Sequence, residues 1–226
     1  MITQDFDQEL SPREIHYPTG KAVEEILNSM THAIGAGLSI AGLVVLLILT
    51  GRDPSPWKYV SFSIYGATQI MLYLASALLH GFAPYPKARK HFERLDHGSI
   101  YLLIAGTYTP LTLVILRGPW GWAMFGTVWA LALVGLAMKM FVMKKLPLIV
   151  DALYLPMGWL IIIAIRPFFE LSPPGFILWA VIGGLAYSIG FIFYAMKNLP
   201  FAHLIWHFWV LAGSISFFMG YALYVA

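Results

Sequence analysis

The chain has 226 residues, 59% of them apolar and 15% aromatic, with only 11% charged and a mean hydropathy of +0.74. Soluble domains run about 45–50% apolar and about 25% charged, which excludes a soluble enzyme and a disordered chain. The formal charge of +3 is too small and too scattered for a nucleic-acid surface, and without cysteine there is no disulfide framework, thiolate metal site or cysteine nucleophile. An all-α integral membrane protein is what remains.

Residues 1–25 are polar and carry Asp5, Asp7, Glu9, Glu14, Glu24 and Glu25. That is the wrong flank for a secretory signal, and the stretch reads as a short cytoplasmic tail before a membrane domain over 26–226. A bilayer core of about 30 Å takes roughly 20 apolar helical residues to cross. Seven stretches reach that length, at about 26–49, 58–80, 97–116, 119–138, 146–165, 174–196 and 202–225. The interior of the fifth holds Asp151, and the interiors of the other six hold no charge. Helix breakers separate them, including Gly51 to Pro56, Arg117-Gly118-Pro119, Lys145-Leu146-Pro147 and Pro173-Pro174-Gly175. The prediction is a seven-transmembrane-helix bundle.

Along the spans, Ala33, Gly37 and Ala41 form a small-residue stripe suited to close helix packing, as do Ala212, Ser216 and Gly220. Pro110 and Pro156 are expected to kink the third and fifth helices. Trp57, Trp120, Trp122 and Trp179 sit near span ends, as in an interfacial belt. Basic residues fix the expected orientation. Arg13, Lys21, Lys87, Arg89, Lys90, Arg94, Lys139, Lys144, Lys145 and Lys197 fall on the N-terminal side, against Arg52, Lys58, Arg117 and Arg166 on the other. Positive charge stays inside, so the N-terminus is expected in the cytoplasm and the C-terminus outside.

In that orientation the intramembrane polar groups gather in the cytoplasmic third, where each marks a candidate site. Ser76 and His80 end the second span, Asp96 and His97 open the third, and His203 and His207 open the seventh. His203 and His207 lie i,i+4 on one helical face, as do Ser76 and His80. Two imidazoles at this spacing chelate zinc in other helical sites. His80 adds a third nitrogen, a set that suits Zn²⁺ and leaves a fourth position for water. A metal acidifies such water, and Asp96 is the carboxylate placed to take its proton. A lone interfacial histidine is otherwise an amphipathic side chain at headgroup level, the reading that suits His97, His91 and His16. Asp151 is either an acceptor that orients a ligand histidine or a charged interfacial residue. Asn28 and His32 are either a polar first turn of the first helix or supports behind the ligands.

Four segments together resemble the hemolysin III family, the bacterial branch of the progestin and adipoQ receptor (PAQR) family. They are Glu24–His32 (EEILNSMTH), the Ser76-xxx-His80 pair, Asp96 opening a helix that continues AGTYTP (Ala105–Pro110), and HLIWH (His203–His207). The resemblance covers about 24–226 and implies seven helices in a bacterial plasma (inner) membrane with the N-terminus inside. It implies zinc on His80, His203 and His207, with Asp96 as base or water-positioning group and Ser76 hydrogen-bonding beside them. The similar alkaline ceramidases imply metal-dependent hydrolysis of a lipid amide or ester. A membrane lipid or acyl chain would be the partner, and membrane-lipid homeostasis the role. The alternatives are a membrane-state sensor with structural zinc, a pore-forming hemolysin or channel, and a transporter using Asp96 and Asp151. Charge-free span interiors speak against a wide pore.

The topology is tested by a reporter that works only in the cytoplasm. Fused after Ala226 it is expected to be silent, and activity there would reverse the orientation.

Overall fold

A computed structural model of the chain describes residues 19–141, 147–196 and 198–226. Most of the expected tail lies outside these, as do Arg13, Lys144, Lys145 and Lys197 of the charge pattern. Among the described residues there is no strand, and seven helical segments are long and apolar enough to cross a membrane.

The first three spans are α1 (Thr19–Thr50), α2 (Pro56–Gly81) and α3 (Pro86–Pro110), the last continued by a π-turn over Leu111–Ile115. Helix α4 (Pro119–Phe141) follows. The fifth span is broken into α5 (Pro147–Ala152), α6 (Tyr154–Gly158), a 3₁₀ turn (Leu160–Ala164) and α7 (Ile165–Leu171). Helices α8 (Pro174–Ala195) and α9 (Ala202–Tyr224) complete the bundle. Proline opens α2, α3, α4, α5 and α8, because its fixed φ suits the first turn, where its missing N–H would be unpaired anyway.

Helices α1 to α4 pack in chain order, α8 packs on α9, and α9 returns to α1. Helix α3 is central: 72% of its apolar window is buried, against 22–28% for α1, α4, α8 and the fifth span. The outer spans therefore turn most of their apolar surface toward lipid. Gly106 of α3 lies so close to Thr68 that any side chain there would collide with it, which is what lets α2 and α3 approach.

Both expected kinks are present in altered form. Past Pro110 the helix widens, and Leu116 N–H donates to Leu111 C=O at 2.9 Å, an i→i+5 bond. Pro156 sits inside the broken fifth span. Lipid offers no partner to backbone groups freed by such a break, and tyrosines on α3 supply them. Tyr101 Oη–H donates to Val150 C=O at 2.5 Å and Tyr108 Oη–H to Gly158 C=O at 2.7 Å. The Tyr108 oxygen also accepts Ile161 N–H at 3.0 Å. Tyr154 of the fifth span donates back to His97 C=O at 2.8 Å.

Two sequence expectations change. The Ala33, Gly37, Ala41 stripe is exposed, with nothing within 4 Å of a side chain placed at Gly37. Helix α1 instead buries Asn28, His32, Gly35, Ala36 and Ser39, because lipid cannot satisfy an amide and an imidazole and these two polar groups set its inward face. The stripe lies about 100° round the helix from His32. On α9 the stripe holds in part: Ser216 and Gly220 are buried, Gly220 against Phe176 and Trp179, while Ala212 is exposed. Lys139, assigned to a cytoplasmic loop, is fully buried in α4 and ion-paired with Asp151. Removing it from the basic pattern takes one charge from the larger side and leaves its majority. At the opposite end, Trp57 packs edge-on against Trp122 at 5.6 Å and carries the Arg117 guanidinium 4.6 Å above its ring.

Breaking a buried ion pair strands a charge. Lys139→Ala or Asp151→Ala is therefore expected to lower stability by about 3–5 kcal/mol. The double change Lys139→Met, Asp151→Leu should recover most of that loss, as read by unfolding in detergent.

Candidate metal centre

Helix α2 delivers Ser76 and His80 in its last two turns, and α9 delivers His203 and His207 in its first two. Asp96 and His97 do not open α3 as expected. The helix starts at Pro86, so they stand about three turns inside it. Likewise α1 starts at Thr19, which places Asn28 and His32 well within the helix, buried to 2% and 3% exposure. They are interior residues and not a polar first turn.

His80, His203 and His207 converge. One ring nitrogen from each lies within 4.8 Å of the others, and His80 Nε2 is 3.2 Å from His203 Nε2. Two nitrogens on a tetrahedral zinc, each about 2.05 Å from it, stand about 3.3 Å apart, so the closest pair already has the spacing a shared metal needs. For His80 and His207, hydrogen bonds point to the nitrogen each ring offers. Glu25 Oε2 accepts from His80 Nδ1 at 2.6 Å, so Nδ1 carries the proton and Nε2 keeps its lone pair. Thr31 spends its single hydroxyl proton on the Leu27 and Asn28 carbonyls at 2.9 Å each. Its oxygen is left to accept His207 Nδ1–H at 3.2 Å, and His207 also keeps Nε2 free. Three imidazoles whose nitrogens converge this closely are a donor set that fits a divalent transition metal.

Phe201, directly before α9, adopts φ 58°, a left-handed conformation costly for an aromatic residue. It turns the chain so that His203 enters the helix facing α2. Strain of this kind gathers at functional sites.

Asp96, Ser76 and His32 line one cavity with His203 and His207. The Asp96 carboxylate faces Ser76, His80 and His97, with His97 Nδ1 3.8 Å away. His97 itself donates to Glu93 C=O at 2.7 Å and stays outside the three-histidine group. His32 stacks on His207, ring centroids 3.5 Å apart and 8° from parallel, and supports that ring by packing. Asp151 bonds no histidine among the described residues. It pairs with Lys139 and accepts Tyr194 Oη–H at 2.9 Å, while the Tyr194 ring stands 6.3 Å from that of His203.

The cavity runs from these polar groups between α3, the fifth span, α8 and α9. Ile100, Leu103, Ile104, Leu155, Phe191 and Val210 give its far part apolar walls. Trp159 Nε1–H donates to Ser188 Oγ at 3.0 Å and ties the fifth span to α8 beside it. Sequence reasoning missed Glu25, Thr31 and Tyr194. For Glu25 the signal was present: residues 25, 28 and 32 share one helical face.

A family model described as Haemolysin-III related matches residues 21–218. Hemolysin-3 of Bacillus cereus is 46% identical over 203 residues, 89% of this chain and 92% of that protein. A Hemolysin-3 homolog of Bacillus subtilis (strain 168) is 47% identical over 196 residues, 86% and 91%. Human Monocyte to macrophage differentiation factor is 26% identical over 193 residues, 83% and 78%. The match takes in α1 to α9 with every residue of the candidate centre, and the chain belongs to the Haemolysin-III related family of seven-helix membrane proteins.

Proposed function

We propose that the protein is a zinc-dependent hydrolase of an acyl lipid, cleaving an amide or ester at the cytoplasmic leaflet of the bacterial plasma membrane. One observation carries the reading: three imidazoles converge, one nitrogen of each within 4.8 Å of the others, beside a cavity that is polar at their end and apolar beyond it. Such a shape receives a polar carbonyl at the histidines and its hydrocarbon chain along the walls.

His80, His203 and His207 would hold the zinc, which three neutral nitrogen donors and an open fourth position suit. When bound, zinc at such a site acidifies water and polarises a carbonyl. Asp96 accepts the proton of the attacking water and returns it to the departing nitrogen or oxygen. The new bond joins the water oxygen to the acyl carbon, and the amide or ester bond breaks. Ser76, one helical turn from His80, offers a hydroxyl proton to the Asp96 carboxylate or to the substrate oxygen. The site's place in the cytoplasmic leaflet follows from the basic surplus beside the N-terminus.

Purified protein is expected to carry about one zinc per chain, and His207→Ala to lose most of it by elemental analysis. Full zinc in the triple histidine variant would overturn the ligand set. Asp96→Asn should keep its zinc while fatty-acid release from amide- and ester-linked lipids falls about 10²–10⁴-fold. Equal release by wild type and Asp96→Asn, or release by neither across a broad lipid panel, would overturn the hydrolase and leave a sensing or structural zinc.

A further inference from the structure

Among the described residues, the carboxylate bonded to one of the three histidines is Glu25, from a segment that the sequence reads as tail. Its two oxygens have different partners: Oε2 meets His80 Nδ1 at 2.6 Å, and Oε1 meets the Arg89 guanidinium at 3.1 Å. Three helices are joined in a row, Arg89 of α3 to Glu25 of α1 to His80 of α2. The Glu25 side chain is 18% exposed and that of His80 6%, so the bond is shielded from competing water. It lies in the wall of a separate hollow between α1 and α2, lined by Glu25, Ser29, His80 and Gly81. Glu25 takes no part in the walls of the cavity beside Asp96.

We infer that Glu25 is a positioning residue for the metal: held by Arg89, it fixes the Nδ1–H tautomer and the ring orientation of His80 and so sets the zinc affinity of the centre. This rests on the zinc reading above. The physical basis is threefold. A free imidazole spreads its proton over two nitrogens and its ring over rotamers, whereas the Glu25 bond leaves Nε2 as the one acceptor, aimed at His203. A carboxylate behind an imidazole also makes the ring a better donor. Finally, a dication on three neutral ligands leaves two positive charges in a poorly screened interior, and Glu25 places a negative charge one imidazole away. Helix α1 does not depend on Glu25 for its place, because Ser29 Oγ–H donates to Ala77 C=O at 2.9 Å and Thr31 engages His207.

The test compares wild type, Glu25→Gln and Glu25→Ala by zinc competition against a chelator. Alongside are the visible spectrum of the cobalt-loaded protein and the thermal midpoint of the metal-free protein. Glu25→Ala is expected to weaken zinc about 10–100-fold, to alter the cobalt bands, and to leave the metal-free midpoint near that of wild type. Glu25→Gln, which keeps an acceptor for Nδ1–H and loses the charge, should fall between, and it carries the test if the alanine variant does not fold. Wild-type affinity and an unchanged cobalt spectrum in the variants would overturn the inference. So would a weakening matched by a fall in the metal-free midpoint with the spectrum unchanged, since that marks a structural contact only. Failure of the zinc reading shows itself separately, as wild type that binds no metal.

Discussion

Hydrocarbon offers a polar group no hydrogen bond, so a polar side chain drawn into this bundle turns to its own helix backbone, as Thr109 does, or to another helix, as Tyr73 does. That constraint orders the molecule. Lys139 of α4 meets Asp151 of the fifth span, Tyr194 of α8 bonds the same carboxylate, and Tyr73 of α2 donates to Ser214 of α9 at 2.6 Å. Tyrosines on α3 complete the backbone of the broken fifth span. Each bond fixes the rotation of two helices at once, which apolar packing against lipid-like neighbours does weakly. Helix α3 is central to these bonds: its Tyr101 and Tyr108 engage the fifth span, and its Thr107 C=O accepts Tyr221 Oη–H of α9.

The same constraint explains why the candidate centre is gathered at one end. An imidazole or carboxylate is least costly where it can reach either another polar side chain or the headgroup region. His80, Asp96, His203 and His207 satisfy this at a single depth, supported by Glu25, Thr31 and His32 on α1. At the opposite end, the aromatic group of Trp57, Trp122 and Arg117 anchors the bundle. A cavity that starts among the polar groups and continues between apolar walls is the consequence of this division.

Composition and periodicity were enough for seven spans, because about 20 uncharged apolar residues in a row have one stable arrangement in a bilayer. The i,i+4 spacings of Ser76 with His80 and His203 with His207 put each pair on one face whatever the bundle does. That made the three-histidine group legible, and Asp96 belonged to it by depth. Helix starts were less legible. The basic stretch before Asp96 and the acidic one before Asn28 read as loop and tail, yet both continue as helix beyond the apolar window, where charged side chains reach water at the bundle end.

Only the tertiary structure decided which side of each helix faces inward and which distant residues meet. The exposed Ala33, Gly37, Ala41 stripe has the spacing of a packing seam, but burial of Asn28 and His32 overrides it. Lys139 carries a charge that local sequence assigns to a loop, and it is inside because Asp151, twelve residues on, pairs with it. Glu25 and His80 lie 55 residues apart and His80 and His203 lie 123 apart, separations at which sequence spacing carries no geometry. The sequence by itself determined what can cross the membrane and which residue types can hold a metal. The packing of helices decided that Glu25 stands behind His80 and Thr31 behind His207, because hydrogen bonds between helices are properties of the assembled bundle alone.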